Sequence, residues 1–265
     1  MRILFLSDYQ ALSKALEEGA EGYSDLDILS NAATTQPLAL PDFDYLLIAP
    51  LGRGGEVGLS PDLEALNFWQ AKLTQLVDLC NARDAGLLMV SSDLVFASKQ
   101  QAVCELDTPE STSPLAHQLL HLESLAANCD QHVILRTPPL LSASQEGGLA
   151  HLIEHCKVHK APENTDYRGL QTLEDLTRVL LGIALQLDSG AKATGIFHYA
   201  GSEPVSQTEL MHTLARMLGT QPYPADHSGT NRQGMNTQHL LETFGVHPRA
   251  WRASLPALLE ALNES

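Results

Sequence analysis

Short, mainly apolar runs alternate along this chain with longer stretches in which apolar residues recur every three or four positions. The runs are Arg2–Leu6, Leu26–Leu29, Phe43–Ala49, Leu87–Val90, His132–Arg136 and Gly195–Tyr199. All six predict strands, buried on both faces for Arg2–Leu6 and Leu87–Val90, with Leu26–Leu29 the weakest signal because Asp27 interrupts it. The intervening helical pattern is clearest over Pro61–Arg83, where Leu63, Leu66, Trp69, Leu73, Leu76, Val77 and Cys80 form one stripe. A second stripe, Leu115, Leu119, Leu122 and Ala126, follows the start signal Ser113-Pro114. Helices are also predicted over Gln10–Glu18, from Thr172 to about Leu187, and over Gln207–Leu218. Strand–helix alternation from 1 to 136 implies an α/β fold with a doubly wound parallel sheet.

Between these elements, several segments invite a local reading. Ser7-Asp8 reads as the N-cap of the first helix. Asp27 lies about twenty residues on from that turn, where a ribose-binding carboxylate often falls, but it reads as a solvated carboxylate on a short strand. Pro50-Leu51-Gly52-Arg53-Gly54-Gly55 reads as a mobile surface loop, with an anion cradle as the other reading. Ser142 to Gly148 reads as a crossing or lid segment. His151, His155 and His159 recur at a spacing of four, which on a helix can chelate zinc. Lys157-Val158-His159 reads as a strand, however, so the three are taken as surface histidines and no metal is expected.

Composition narrows the partners. Sixteen basic against 32 acidic residues give a net charge of -16, which argues against nucleic acid or an anionic membrane met through a broad basic face. No apolar run reaches the length of a membrane span, and the start MRILFLSDYQ lacks the marks of a signal peptide, so the cytoplasm is the expected compartment. Cys80, Cys104, Cys129 and Cys156 are scattered without a C-x-x-C pair and are expected as free thiols.

Three motifs in order carry a family likeness: Ser91-Ser92-Asp93-Leu94-Val95-Phe96, then Glu105-Leu106-Asp107, then Ser113-Pro114-Leu115. Arg136-Thr137-Pro138, Arg168-Gly169 through Asp175-Leu176, Arg232 to Asn236, and Phe244-Gly245 through Trp251-Arg252 extend it toward the C-terminus. The chain thereby resembles the extended short-chain dehydrogenase/reductases, specifically their dTDP-4-dehydrorhamnose reductase branch. That resemblance implies a Rossmann-like domain from 1–140 and about 171–200, and a smaller substrate-type lobe from about 141–170 and 200–265.

The resemblance also shows what has changed. The family's glycine-rich first turn falls on Ser7, Gln10 and Ser13, and its Tyr-x-x-x-Lys pair, counted from Pro114, falls on Gln118 and Leu122. Ser92 keeps the family's carbonyl-polarising hydroxyl. In such enzymes the tyrosine donates the proton that accompanies hydride transfer, and the lysine lowers its pKa and holds the ribose. His117 and His121 repeat the four-residue spacing one position earlier and are the rival acid/base pair. The expected function is a catalytically degenerate member serving binding or regulation. The family's precedent is the regulatory beta subunit of methionine adenosyltransferase. No cofactor is expected at the first turn. The alternative is a divergent NAD(P)-dependent reductase or epimerase acting on a nucleotide-sugar such as dTDP-4-dehydrorhamnose. A small molecule or nucleotide-sugar in the cleft, and self-association or a protein partner through the helices at 61–83 and 112–128, complete the expectations.

Overall fold

The computed structural model describes residues 1–162, 166–223 and 234–264. Its centre is a six-stranded sheet, all parallel, in the order β2-β1-β3-β4-β5-β9. The strands are β1 (Arg2–Leu6), β2 (Asp27–Asn31), β3 (Tyr45–Ile48), β4 (Gly86–Ser92), β5 (His132–Thr137) and β9 (Gly195–His198). β3 and β4 are buried throughout, as central strands of a doubly covered sheet must be. Gly86 opens β4 because a side chain there would press into the Tyr45 ring, 2.6 Å from an added Cβ.

Helices α1 (Gln10–Ala20) and α5 (Leu173–Asp188) pack on one face, and α2 (Leu63–Arg83) and α3 (Pro114–Ala126) on the other. Three of these four helices start at sequence-readable caps. Asp62 Oδ1 accepts from the Glu64 N–H at 2.8 Å, Ser113 Oγ from Ala116 at 3.1 Å, and Thr172 Oγ1 from Asp175 at 3.1 Å.

A third core joins α4 (Gly148–Lys157), α6 (Gln207–Met217) and α8 (Trp251–Glu264) around Leu152, Leu210, Leu214, Trp251 and Leu255. Beside it lie two short strand pairs, β6 (Leu140–Leu141) with β8 (Gln171–Thr172) and β7 (Asp166–Tyr167) with β10 (Val205–Ser206). Leu240 and Phe244 of α7 (Gln238–Phe244), with Val246, join the core on the α1/α5 face of the sheet. Among the described residues no helix is long and apolar enough to cross a membrane. The four cysteines are free.

The structure corrects several local readings. Tyr9, not Ser7-Asp8, occupies the α1 N-cap position, and no side chain caps the helix. Asp8 Oδ1 instead accepts from the Ala33 N–H at 3.3 Å, a long-range bond that displaces the local cap. Asp27, read as a solvated carboxylate on a short strand, is indeed exposed, beginning β2 opposite Arg2 at the end of the sheet away from the strands' carboxyl edge, where ligands of such folds bind. Asn31 holds the carboxyl-edge position.

Gly52–Gly55 forms a 3-10 turn against Pro61, and Arg53 pairs with Glu146 at 2.9 Å. Lys157-Val158-His159 is no strand. α4 runs through Lys157 because Leu149, Leu152, Ile153 and Cys156 keep its buried stripe, leaving Val158 exposed. Arg232 and Gln233 lie outside the described residues.

Candidate functional site

The carboxyl ends of β1, β3, β4 and β5 open on a cavity of about 330 Å³ whose lining includes Tyr9, Glu56, Ser92, Leu115, Thr137 and Tyr167. A wider crevice of about 1000 Å³ adjoins it over the β1–α1 turn. Its rim carries Asp8, Asp62 and Glu146 against Arg53, which Glu146 already pairs. Tyr9 borders both spaces.

Tyr9 is held there by a buried carboxyl group. Its hydroxyl donates to Glu56 Oε1 at 2.6 Å, while Glu56 Oε2 accepts from Ser142 Oγ at 2.7 Å and from the Gly148 N–H at 2.9 Å. Burial, then the neighbouring Glu56, pushes the Tyr9 pKa well above the usual phenol value, so the proton stays on Tyr9. The approach at α4 is close: a Cβ on Gly148 would lie 1.7 Å from the Val57 carbonyl oxygen. Both ends of the segment Ser142 to Gly148 are thus tied to Glu56. A local scan missed Glu56 because its partners lie 47, 86 and 92 residues away.

A second buried network lies behind Ser92. Glu123, on α3, receives Arg136 Nε at 2.9 Å, Arg136 Nη2 at 2.6 Å and Ser91 Oγ at 2.6 Å. Glu123 occupies a core position in the spacing Leu119, Leu122, Glu123, Ala126, so its burial was readable in principle. The Arg136 and Arg168 guanidinium groups lie over the Phe96 ring, at 5.1 and 5.9 Å, and His198 meets that ring edge-on at 5.5 Å.

Burial and the nearby Arg136 charge lower the His198 pKa from 6.5 to about 3. The unfolded chain therefore binds more protons at this residue between those two values, and acidification through that window destabilises the fold. The slope from this residue alone is at most about 1.4 kcal/mol per pH unit. Urea midpoints of wild type and His198→Gln measured from pH 7 downward are expected to converge as the wild type loses this contribution; parallel profiles would count against it.

The predicted site residues fall in different places. Ser92 lies at the cavity, and its Oγ accepts from the Leu94 N–H at 3.2 Å. Gln118 turns toward α2 and donates to Asn67 Oδ1 at 2.7 Å. Leu122 is sealed in the α2–α3 core. His117 and His121 are exposed, and neither lines the cavity. Leu115, not Gln118, is the α3 residue beside Ser92.

At the first turn, Ser7 and Gln10 line the crevice, while Ser13 bonds Ser30 at 2.6 Å on the α1–β2 side. The His151 and His155 rings touch at 4.2 Å, and His159 stacks on Tyr223 at 4.7 Å. Among the described residues no three His, Cys, Asp or Glu side chains converge as a metal site would require.

Sheet order and crevice position define a Rossmann-like α/β fold. Residues 64–264 match the RmlD substrate binding domain family, and the chain belongs to that family. None of the curated proteins matches the sequence.

Among solved structures, a dTDP-4-dehydrorhamnose reductase from Clostridium acetobutylicum is similar at 16% identity and a TM-score of 0.78, covering 99% of this chain and 100% of that one. The Bacillus anthracis dTDP-4-dehydrorhamnose reductase in complex with NADP is similar at 12% identity and a TM-score of 0.74, covering 100% and 99%. The Bacillus cereus UDP-glucuronic acid 4-epimerase, in complex with UDP-glucuronic acid and NAD, is similar at 15% identity and a TM-score of 0.74, covering 100% and 99%.

Proposed function

We propose that this protein keeps the sugar-nucleotide-reductase scaffold for binding or regulation and does not transfer hydride. The Tyr9–Glu56 bond at 2.6 Å carries this reading. It holds a ring in the wall between the two spaces that an extended dinucleotide would have to join. The residues of the first turn do not fit NAD(P). Ser7 and Gln10 put side chains where a pyrophosphate needs bare backbone, and Asp8 adds an unfavourable charge. Beside Ser92, Leu115 supplies no proton, Tyr9 holds its own, and Gln118 is turned away.

On this reading the smaller cavity takes a small molecule or the sugar end of a nucleotide-sugar, in a cytoplasmic protein. The scaffold also serves self-association or a protein partner. Leu63 and Phe68, large apolar residues of α2 with 41% and 38% exposure, leave apolar surface on that helix for such an association.

One observation favours the second reading, a divergent NAD(P)-dependent reductase or epimerase. Ser92 and Thr137 still place two hydroxyls at the ends of adjacent strands beside the cavity. A turnover assay separates the two. With dTDP-4-dehydrorhamnose and NADH or NADPH, the purified protein is expected to show no reduction above background, because loss of a general acid alone removes roughly 10²–10⁴-fold in rate. Ordinary turnover abolished by Ser92→Ala would establish the enzyme. Turnover abolished by His117→Ala would give the role to the histidine pair.

A further inference from the structure

A separate cleft of about 870 Å³ lies on the far side of α3 from Ser92, along the outer edge of the sheet. Its apolar lining includes Leu120, Ile134 and Ile196, and Glu105 and Glu242 also face it. The one guanidinium in the lining, Arg136, is already paired with Glu123 at 2.6 Å, so the cleft's net charge is negative. Leu106, on the same lining, is 95% exposed.

Among the described residues, the edge itself is unfilled at one position. β9 is the last strand and pairs only with β5 among the described strands. The Tyr199 N–H points inward to the Arg136 carbonyl at 3.0 Å, so strand alternation turns the backbone groups of His198 and Ile196 outward. The His198 N–H is taken by Glu105 Oε1 at 2.9 Å. The Ile196 N–H and C=O remain on the outer edge, facing the cleft that Ile196 lines.

We infer that this edge is a docking site for an extended, basic segment of a partner protein, which pairs with Ile196 as a short added strand. Backbone pairing at Ile196 gives the segment its register. Its alternate apolar side chains cover Leu120 and Ile134, and its lysines or arginines meet Glu105 and Glu242. The overall charge of -16 draws a basic segment toward the protein. An acidic segment would meet two carboxylates and is disfavoured. The site stands whether or not the cavity at Ser92 is catalytic, because the two share no lining residue.

The test uses the full chain and the probe acetyl-Lys-Val-Lys-Val-Lys-Val-amide, read by calorimetry and by amide hydrogen exchange. Saturable binding is expected, with exchange at the Ile196 N–H slowed. Affinity should fall about tenfold for Glu242→Lys, and similarly for a probe N-methylated at alternate amides. Glu242 is exposed, so that substitution leaves the core intact. Absence of saturable binding would overturn the proposal. Equal binding of a glutamate-for-lysine probe would remove the charge argument and overturn it too. Equal binding of the N-methylated probe would overturn strand addition in favour of a small-molecule pocket.

Discussion

Glu56→Ala is expected to destabilise the fold by about 3–5 kcal/mol, because buried donors left without an acceptor each cost roughly 1–3 kcal/mol, partly relieved by relaxation. The change strands the Tyr9 hydroxyl, the Ser142 hydroxyl and the Gly148 N–H together. Glu56 is 2% exposed, so water does not replace it without rearrangement. Glu56→Gln keeps an acceptor oxygen but turns one position into a donor, and should lose less. Urea unfolding checks both, with the midpoint shifted and the slope unchanged. A Glu56→Ala midpoint within error of wild type would show that the carboxyl group does not join the lobes. The same variant frees the Tyr9 ring and should widen the passage between the two spaces.

The second large effect belongs to Arg136. Arg136→Ala leaves Glu123 buried with Ser91 as its one remaining side-chain hydrogen bond, and breaking one side of a buried pair typically costs about 3–5 kcal/mol. The pair is bidentate and both side chains are nearly inaccessible, at 3% and 4% exposure. Replacing both partners, Glu123→Leu with Arg136→Leu, should recover much of that loss, since an apolar pair carries no stranded charge. A double-mutant cycle reads the coupling directly. Additive losses would mean that the two groups do not depend on one another. Because Ser91 precedes Ser92, a shifted Glu123 also moves the end of β4 at the cavity.

Most of the sheet was legible because its strands are short, mainly apolar runs, the part-exposed edge strand β2 being the exception, and Ser113-Pro114 and Thr172 announce their helices through capping chemistry that needs no distant partner. The first turn was misread where a distant partner intervened, with Asp8 reaching Ala33 across 25 residues. At the site, Ser92 was placed by its motif at the end of a strand. Counting from Pro114 led to Gln118 and Leu122, whereas Leu115 faces the cavity. One residue turns a helix by about 100°, so a small offset in register moves a side chain to another face. Tyr9 and Glu56 were beyond reach, since nothing local to either residue signals a bond spanning 47 positions.

We propose that the first turn does not take a dinucleotide in the manner of NAD(P)-binding Rossmann turns. Calorimetry of the purified chain with NADH and with NADPH tests it most directly. Backbone donors at the turn are crowded by Ser7 and Gln10, and the Asp8 carboxylate repels phosphate by roughly 4 kcal/mol per unit charge at 4 Å and an intermediate dielectric. With Leu122 in the core, no lysine reaches the ribose from that position. The expected result is no heat of binding at ligand concentrations of about tens of micromolar. A dissociation constant in the low micromolar range, for either nucleotide, would contradict the account and restore the reductase reading.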